Sequence, residues 1–232
     1  MRDAEAEIVR ALPLFSSIQQ AHFESLIAGG YLQHFPRRVG LIHEGQMPDF
    51  LHVLVKGSVE FFSTSEGRET TLSTLAPPSA FILAAVALDQ LYLKSARTLE
   101  SSVVVLIPAR AVREVFSRDS AFARAVVGEL ATRYRGLVKE LKNQRLRSGL
   151  ERLANWILAR NEKLGRPDSF KLHLEKKALA NLLGMRPENL SRSFAELSHF
   201  GVRINGADVT IFDIDALMQF ARPDPLIDAP SE

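Results

Sequence analysis

The sequence predicts an α+β chain: an N-terminal antiparallel β-roll, a long helix after it, and a C-terminal winged helix-turn-helix. Three observations carry that expectation. Between Tyr31 and Pro108 short β-like runs alternate with turn signals; after Pro108 a long helical pattern begins; and from Glu175 onward a Gly-closed short helix is followed by a Pro-opened one and a hairpin. The 232 residues, 46% hydrophobic and 24% charged, suit one or two globular domains and are too apolar for wholesale disorder. The boundaries expected are 1–117 for the roll with its N-terminal helices, 118–148 for the long helix and 149–232 for the winged helix-turn-helix.

Residues 8–30 carry apolar positions at helical spacing (Ile8, Leu12; Phe23, Leu26, Ile27), interrupted by Pro13, which predicts two short helices. The clearest β-like runs are 39–43, 51–55, 58–62, 70–75 and 103–107. Glu44-Gly45, Lys56-Gly57, Glu66-Gly67 and Pro77-Pro78 stand between them as turn signals. Short strands at this spacing point to a sandwich or barrel. In the helical pattern that follows, Val127, Leu130, Tyr134, Leu137 and Leu141 recur at steps of 3, 4, 3 and 4, an a/d line of about two heptads. Such a line suits either a dimer seam or a helix packed on its own domain; its narrowness favours the seam. The helix is expected to break at Ser148-Gly149, a candidate hinge, because Gly inside a helix costs about 1 kcal/mol relative to Ala. An amphipathic helix through Leu150, Leu153, Trp156 and Ile157 then runs to Gly165-Arg166-Pro167.

The segment EKKALANLLGMRPENLSRSFAELSHFGV, residues 175–202, is the most specific. Leu179, Leu182 and Leu183 form one face of a short helix, Ala180 leaves room for a crossing helix, and Gly184 supplies a left-handed turn. Pro187 fits the first position of a second helix, where its missing N–H costs nothing. With Leu190, Phe194 and Leu197 buried, Glu188, Ser191 and Arg192 must share an exposed face in the first turns, as a recognition helix requires. Arg chelates the O6/N7 edge of guanine and Glu accepts from cytosine N4. A Glu–Arg surface pair alone would explain only two of these residues. Charge agrees with a polyanion partner: residues 1–141 balance 15 basic against 15 acidic, residues 142–205 carry 13 against 6, and residues 206–232 carry 1 against 6. Arg186, Asn189, Lys176 and Lys177 complete the candidate contacts to double-stranded DNA. Residues 202–211 read as a hairpin with an Asn205-Gly206 type I′ turn, the wing.

This order of parts resembles the Crp/Fnr family of bacterial transcription regulators over nearly the whole chain, from Leu14-Phe15 to about Phe220. HEGQMPDFLHVLVKGSVEFF, from His43 to Phe62, looks like the family's Gly-anchored strand pair. Glu188-Asn-Leu-Ser191-Arg192 matches the Glu-x-x-Ser-Arg signature of the Fnr, FixK, Dnr and NnrR branches. The resemblance implies a cyclic-nucleotide-binding-like roll and a cytoplasmic homodimer on a TTGAT-N4-ATCAA-like inverted repeat. It places Arg192 on guanine, Glu188 on cytosine and Ser191 on thymine, with RNA polymerase as a further partner if the chain activates. Arg186 departs from the family's Ser or Thr cap, whose loss typically costs about 1 kcal/mol, and reaches a phosphate instead in this reading.

The resemblance also locates the effector slot. Around Phe81, Leu83 fills the family's Gly position, Ala84 its Glu position and Lys94, beside Ser95, its Arg position. Lys does not reproduce a bidentate Arg on phosphate, and nothing pairs a ribose hydroxyl, so cyclic AMP is not the expected effector. The apolar run 81–88 either lines a pocket, for haem or another apolar ligand, or packs as core. The sequence has no cysteine, which excludes an iron–sulfur cluster of the Fnr kind, and the Cys-free Ser-Arg pattern is closest to the nitric-oxide-responsive Dnr/NnrR branch. His22, His34, His43, His52 and Met47 are the candidate axial ligands, though each also reads as an ordinary residue; no other metal site is expected. A ligand-independent activator of FixK type, or a regulator gated by another small molecule, is the alternative. Catalytic motifs such as GxSxG, HExxH, GxGxxG or a P-loop are missing, so an enzyme is not expected. The N-terminus lacks the apolar core of a secretory signal, and the longest apolar run is too short to span a membrane.

Overall fold

The computed structural model describes residues 3–172 and 174–229; Met1-Arg2, the first residues of the stretch read as non-secretory, lie outside them, as do His173 and residues 230–232. Contacts divide the chain into two compact units, residues 1–131 and 132–232. The dividing line falls within the long helix, between the sequence boundaries at 117/118 and 148/149.

In the first unit three helices, not two, precede the roll: α1 (Asp3–Arg10), α2 (Pro13–Ser16) and α3 (Gln20–Ala28). Pro13 opens α2 at its first position rather than merely interrupting a helix, because an N–H there would have no intrahelical partner. The strands are β1 (Tyr31–Phe35), β2 (Gly40–Ile42), β3 (Phe50–Lys56), β4 (Val59–Ser65), β5 (Arg68–Leu75), β6 (Ser79–Phe81), then α4 (Leu83–Leu88), β7 (Ser95–Thr98) and β8 (Ser102–Pro108). They form two antiparallel sheets in the orders β1-β8-β3-β6 and β2-β7-β4-β5. The five expected runs are all present; β1, β6 and β7 are additional. Strands β3 and β8 read as continuous apolar runs because both faces are buried. Leu51, Val53, Val105 and Ile107 pack under the helices, while Leu54, Val104 and Leu106 face the roll interior with Phe61 and Phe81.

The helical pattern after Pro108 divides into α5 (Ala109–Arg118) and α6 (Ser120–Leu146), and Asp119 makes the break. Its carboxylate accepts from the Ala121 and Phe122 amides at the start of α6, from the Gln19 amide and from His22 Nδ1, all at 2.9 Å. These bonds, the Phe122 amide foremost, hold Asp119 well below the usual carboxylate range against the opposing effect of burial. A carboxylate whose folded-state pKa is depressed stabilises the fold above its unfolded pKa of about 4 and loses that contribution as pH falls. Asp119→Ala is expected to cost about 2 kcal/mol at pH 7, from orphaned amides, and to flatten the acid limb of the stability curve. Urea unfolding at pH 7 and in steps below pH 5 checks both; a variant that keeps the wild-type acid limb contradicts this account.

The second unit holds the remainder of α6, α7 (Gly149–Lys163), β9 (Ser169–Lys171), α8 (Lys176–Leu182), α9 (Pro187–Glu196), a 3-10 turn (Leu197–Phe200), β10 (Val202–Asn205), β11 (Asp208–Ile211), α10 (Ile214–Ala221) and α11 (Pro225–Asp228). The helix does break at Ser148-Gly149, but Gly149 does not lie in a helix interior. Ser148 caps α7 in a reciprocal box with Glu151, so Gly149 takes the first helical position. Strand β9 pairs with β11 and makes the expected hairpin a three-stranded sheet. In the hairpin Asn205 pairs with Asp208, and the positive φ of the loop falls on Gly206 alone. That is the pattern of a type II′ turn, with Gly first of the two loop residues, rather than the type I′ expected. The core of this unit joins Leu153, Ile157, Leu179, Ala180, Leu190, Phe194, Leu197, Val209 and Leu217.

Candidate nucleic-acid interface

Helices α8 and α9 meet through the Gly184 turn, whose φ of +60° is the left-handed conformation the sequence required. A Cβ there would stand 2.6 Å from Gln144 Oε1, the mobile end of a side chain of α6, so the positive φ rather than the contact is what calls for glycine. Leu179, Ala180 and Leu183 are buried, but Leu182 is exposed; the buried stripe follows positions 179, 180 and 183 and leaves 182 outside it. Leu190 and Phe194 in α9 and Leu197, which opens the 3-10 turn after it, are buried as expected, with Ser193 beside them.

The opposite face of α9 is open. Arg186, Glu188, Asn189, Ser191 and Arg192 are all exposed, and the steps 188, 191 and 192 put three of them on one side of the first turns. Ser191 Oγ donates to Pro187 O at 3.2 Å, which leaves its lone pairs toward solvent. Arg186 occupies the N-cap without a capping hydrogen bond, so its side chain is not engaged by its own helix. Lys176 and Lys177, in the first turn of α8, are exposed; the Lys176 ammonium lies 5.8 Å from the Phe194 ring centroid.

The proposed seam lies along α6. Val127, Tyr134, Leu137 and Leu141 are 59%, 67%, 69% and 57% exposed, an apolar line that a lone helix does not ordinarily present to water. Leu130 differs: it is half-buried against the core of the first unit.

The effector slot is filled by the protein's own side chains. Phe81 is fully buried at the end of β6, Leu83 is buried at the start of α4, and Ala84 points to the surface. Between them Ile82 takes a left-handed φ of 59°, a strained conformation for a β-branched residue. Lys94 places its ammonium 3.8 Å from the Phe61 ring centroid. Phe61 meets Phe81 edge-on at 5.5 Å, and Phe81 lies 5.1 Å from the His52 ring. Ser95 Oγ accepts from the Glu44 amide at 3.0 Å. The guanidinium two residues on, Arg97, is already held by Glu60 and by both carboxylate oxygens of Glu69, at 2.6–2.9 Å, and stacks on Phe62.

Burial lowers His52 to a pKa of about 4, against the raising effect of its hydrogen bond with Phe50 O, so its imidazole is neutral near pH 7. His22 is tied to Asp119, while His34, His43 and Met47 are exposed. The contacts of His22 and His52 are thus with Asp119, Phe50 and Phe81, none of which is another of the candidate axial ligands. Among the described residues no group of three or more His, Asp or Glu is placed to hold a metal ion, and no helix is long and apolar enough to cross a membrane.

Residues 32–119 match the cyclic nucleotide-binding domain family, and residues 151–220 the Crp-like helix-turn-helix domain family. The chain is 23% identical over 222 residues to the CRP-like cAMP-activated global transcriptional regulator of Mycobacterium tuberculosis, covering 93% of this chain and 99% of that one. Among solved structures it resembles DNR from Pseudomonas aeruginosa (TM-score 0.52, 20% identity, 95% of this chain and 99% of that one). It also resembles FixK2 from Bradyrhizobium japonicum (TM-score 0.64, 17% identity, 87% and 98%). With a roll of that family at one end, a reader of that family at the other and one relative spanning both, the chain belongs to the Crp/Fnr family of DNA-binding transcription regulators.

Proposed function

We propose that the chain works as a homodimer that reads a TTGAT-N4-ATCAA-like inverted repeat and is not gated by cyclic AMP. The single observation that carries the reading is the open face of α9, where Glu188, Ser191 and Arg192 stand together on one side of a Pro-opened helix. Arg192 contacts guanine, Glu188 cytosine and Ser191 thymine, while Arg186, Lys176 and Lys177 contact phosphates and fix the register. Regulators of this family bind DNA and typically dimerise, and the exposed line on α6 supplies a surface for that. As a dimer it spans two half-sites about one helical turn, roughly 34–36 Å, apart. It acts on DNA in the cytoplasm and recruits RNA polymerase where it activates.

Ser191-Arg192 and the Cys-free sequence support a place with the Dnr and NnrR branch, whose signals are nitric oxide, nitrogen oxides or low oxygen. The filled roll favours a second reading, an activator of FixK type that needs no ligand, because Phe61 and Phe81 occupy the interior. Both readings leave cyclic AMP out: Lys94 is turned onto Phe61, Arg97 is neutralised by two carboxylates, and Ala84 offers no acceptor to a ribose hydroxyl.

Binding of the full chain to a TTGAT–ATCAA duplex, with and without cyclic AMP, haemin or nitric oxide, tests these together. The expected result is specific binding that cyclic AMP leaves unchanged, with no calorimetric cyclic AMP affinity in the micromolar range. Haemin that shifts its Soret band and alters DNA binding selects the gated reading; binding indifferent to all three selects the ligand-independent one. A micromolar cyclic AMP site coupled to DNA binding overturns the exclusion.

A further inference from the structure

The acidic C-terminal segment is bound back onto the junction between the long helix and the reader. Asp228 receives both terminal nitrogens of Arg147 in a two-pronged pair, each at 2.6 Å, and Arg147 is only 7% exposed in its side chain. Asp224 caps α11 through the Leu226 amide, donates its own amide to Asp228 and lies 3.8 Å from Lys142 Nζ. Lys139 Nζ donates to Ala229 O at 2.8 Å. Three positions of this segment, 224, 228 and 229, therefore reach cations on the last turns of α6 and the residue after it.

Arg147 then connects to the reader. Its carbonyl accepts from Arg152 Nη1 at 2.6 Å, and the buried Arg152 guanidinium donates through Nε to Leu183 O at 2.8 Å. Leu183 closes α8 and Gly184 follows it, the turn that leads into α9. Every link lies within residues 132–232. The Ser148-Gly149 step, which the sequence offers as a hinge, is thus bracketed by a capping box on one side and the Arg147 clamp on the other.

We propose that residues 224–229 are a positioning strap for DNA reading: Asp228 fixes Arg147, whose carbonyl fixes Arg152, which holds the turn that aims α9. The inference rests on α9 being the DNA-reading helix. Charge alone makes the opposite prediction. An acidic segment on a DNA-binding unit opposes phosphate approach, so removing one of its charges should tighten binding on every sequence. The strap predicts weaker and less selective binding instead.

The test compares the full chain with Asp228→Asn, Arg147→Gln, both together, and the reversed pair Arg147→Asp/Asp228→Arg, on the TTGAT–ATCAA duplex and a scrambled one. Each single change is expected to weaken specific binding by roughly two- to thirtyfold, the range for residues that touch no ligand yet bias its site. The scrambled duplex should be bound as before or slightly more tightly. The double change should lose no more than either single one, and the reversed pair should recover most of the loss. Amide exchange at Gly184 and Met185 should quicken in Asp228→Asn whether or not DNA is present. Tighter or unchanged specific binding in Asp228→Asn, additive losses, or unchanged exchange at the turn would each overturn the strap. A wild-type chain that does not distinguish the two duplexes overturns the DNA-reading assignment, and the exchange measurement still decides the strap.

Discussion

Leu137→Glu is expected to convert the protein to a monomer and to lower its affinity for the inverted repeat by about 10²- to 10⁴-fold, the avidity that two linked half-site contacts supply. Leu137 is the most exposed member of the α6 line, at the centre of Tyr134, Leu137 and Leu141. A charge there meets its own symmetry copy in a parallel pair and must be desolvated beside apolar neighbours, which a coiled-coil core position does not tolerate. Since Leu137 contributes nothing to the buried cores of either unit, the monomer should keep its helical content. Sedimentation and circular dichroism separate the two effects. A variant that remains dimeric and DNA-bound means that the exposed line is not the seam. Leu130→Glu is a poorer probe, because Leu130 also packs on the first unit's core and its loss would confuse folding with assembly.

What the sequence made legible followed the range of the interactions involved. Gly184, Pro187 and the 190, 194, 197 stripe are local signals, fixed by φ preference, a missing N–H and helical period, and all three stand as read. Strands β3 and β8 were legible because burial on both faces leaves an unbroken apolar run. Strands β6 and β7 were not: three or four residues rich in Ser, Ala and Thr have no period to detect, and distant partners pair them. Asp119 shows the same limit. Its break in the helical pattern depends on Gln19 and His22, 100 and 97 positions away. The Arg147–Asp228 pair spans 81 positions, so the acidic tail showed only its charge and not its attachment. In the effector slot the residue substitutions were visible in sequence. That Phe61, Phe81 and Lys94 would stack into the interior was not, because ring geometry belongs to packing.

Arg192→Ala should cost about 1–3 kcal/mol against the guanine it reads and little at other positions, so the loss is position-specific rather than general. The helix supports this division of labour. Arg192 stands one turn after Glu188 on the exposed side, while Leu190 and Phe194 anchor the buried side, so truncating Arg192 leaves the docking of α9 intact. Lys176 and Lys177 supply the contrast, since each lies in the first turn of α8 and outside that face. Replacing either by Ala should weaken binding evenly across sequences and reduce the salt slope by about 1. Affinities measured over a set of single-base variants of the half-site, at two salt concentrations, distinguish the two patterns. If Arg192→Ala lowers affinity equally for every variant and shallows the salt slope, Arg192 contacts phosphate, and base reading must be assigned to Glu188 and Ser191 without it. If the loss collects at one base pair, the α9 face reads sequence in the orientation that its buried stripe imposes.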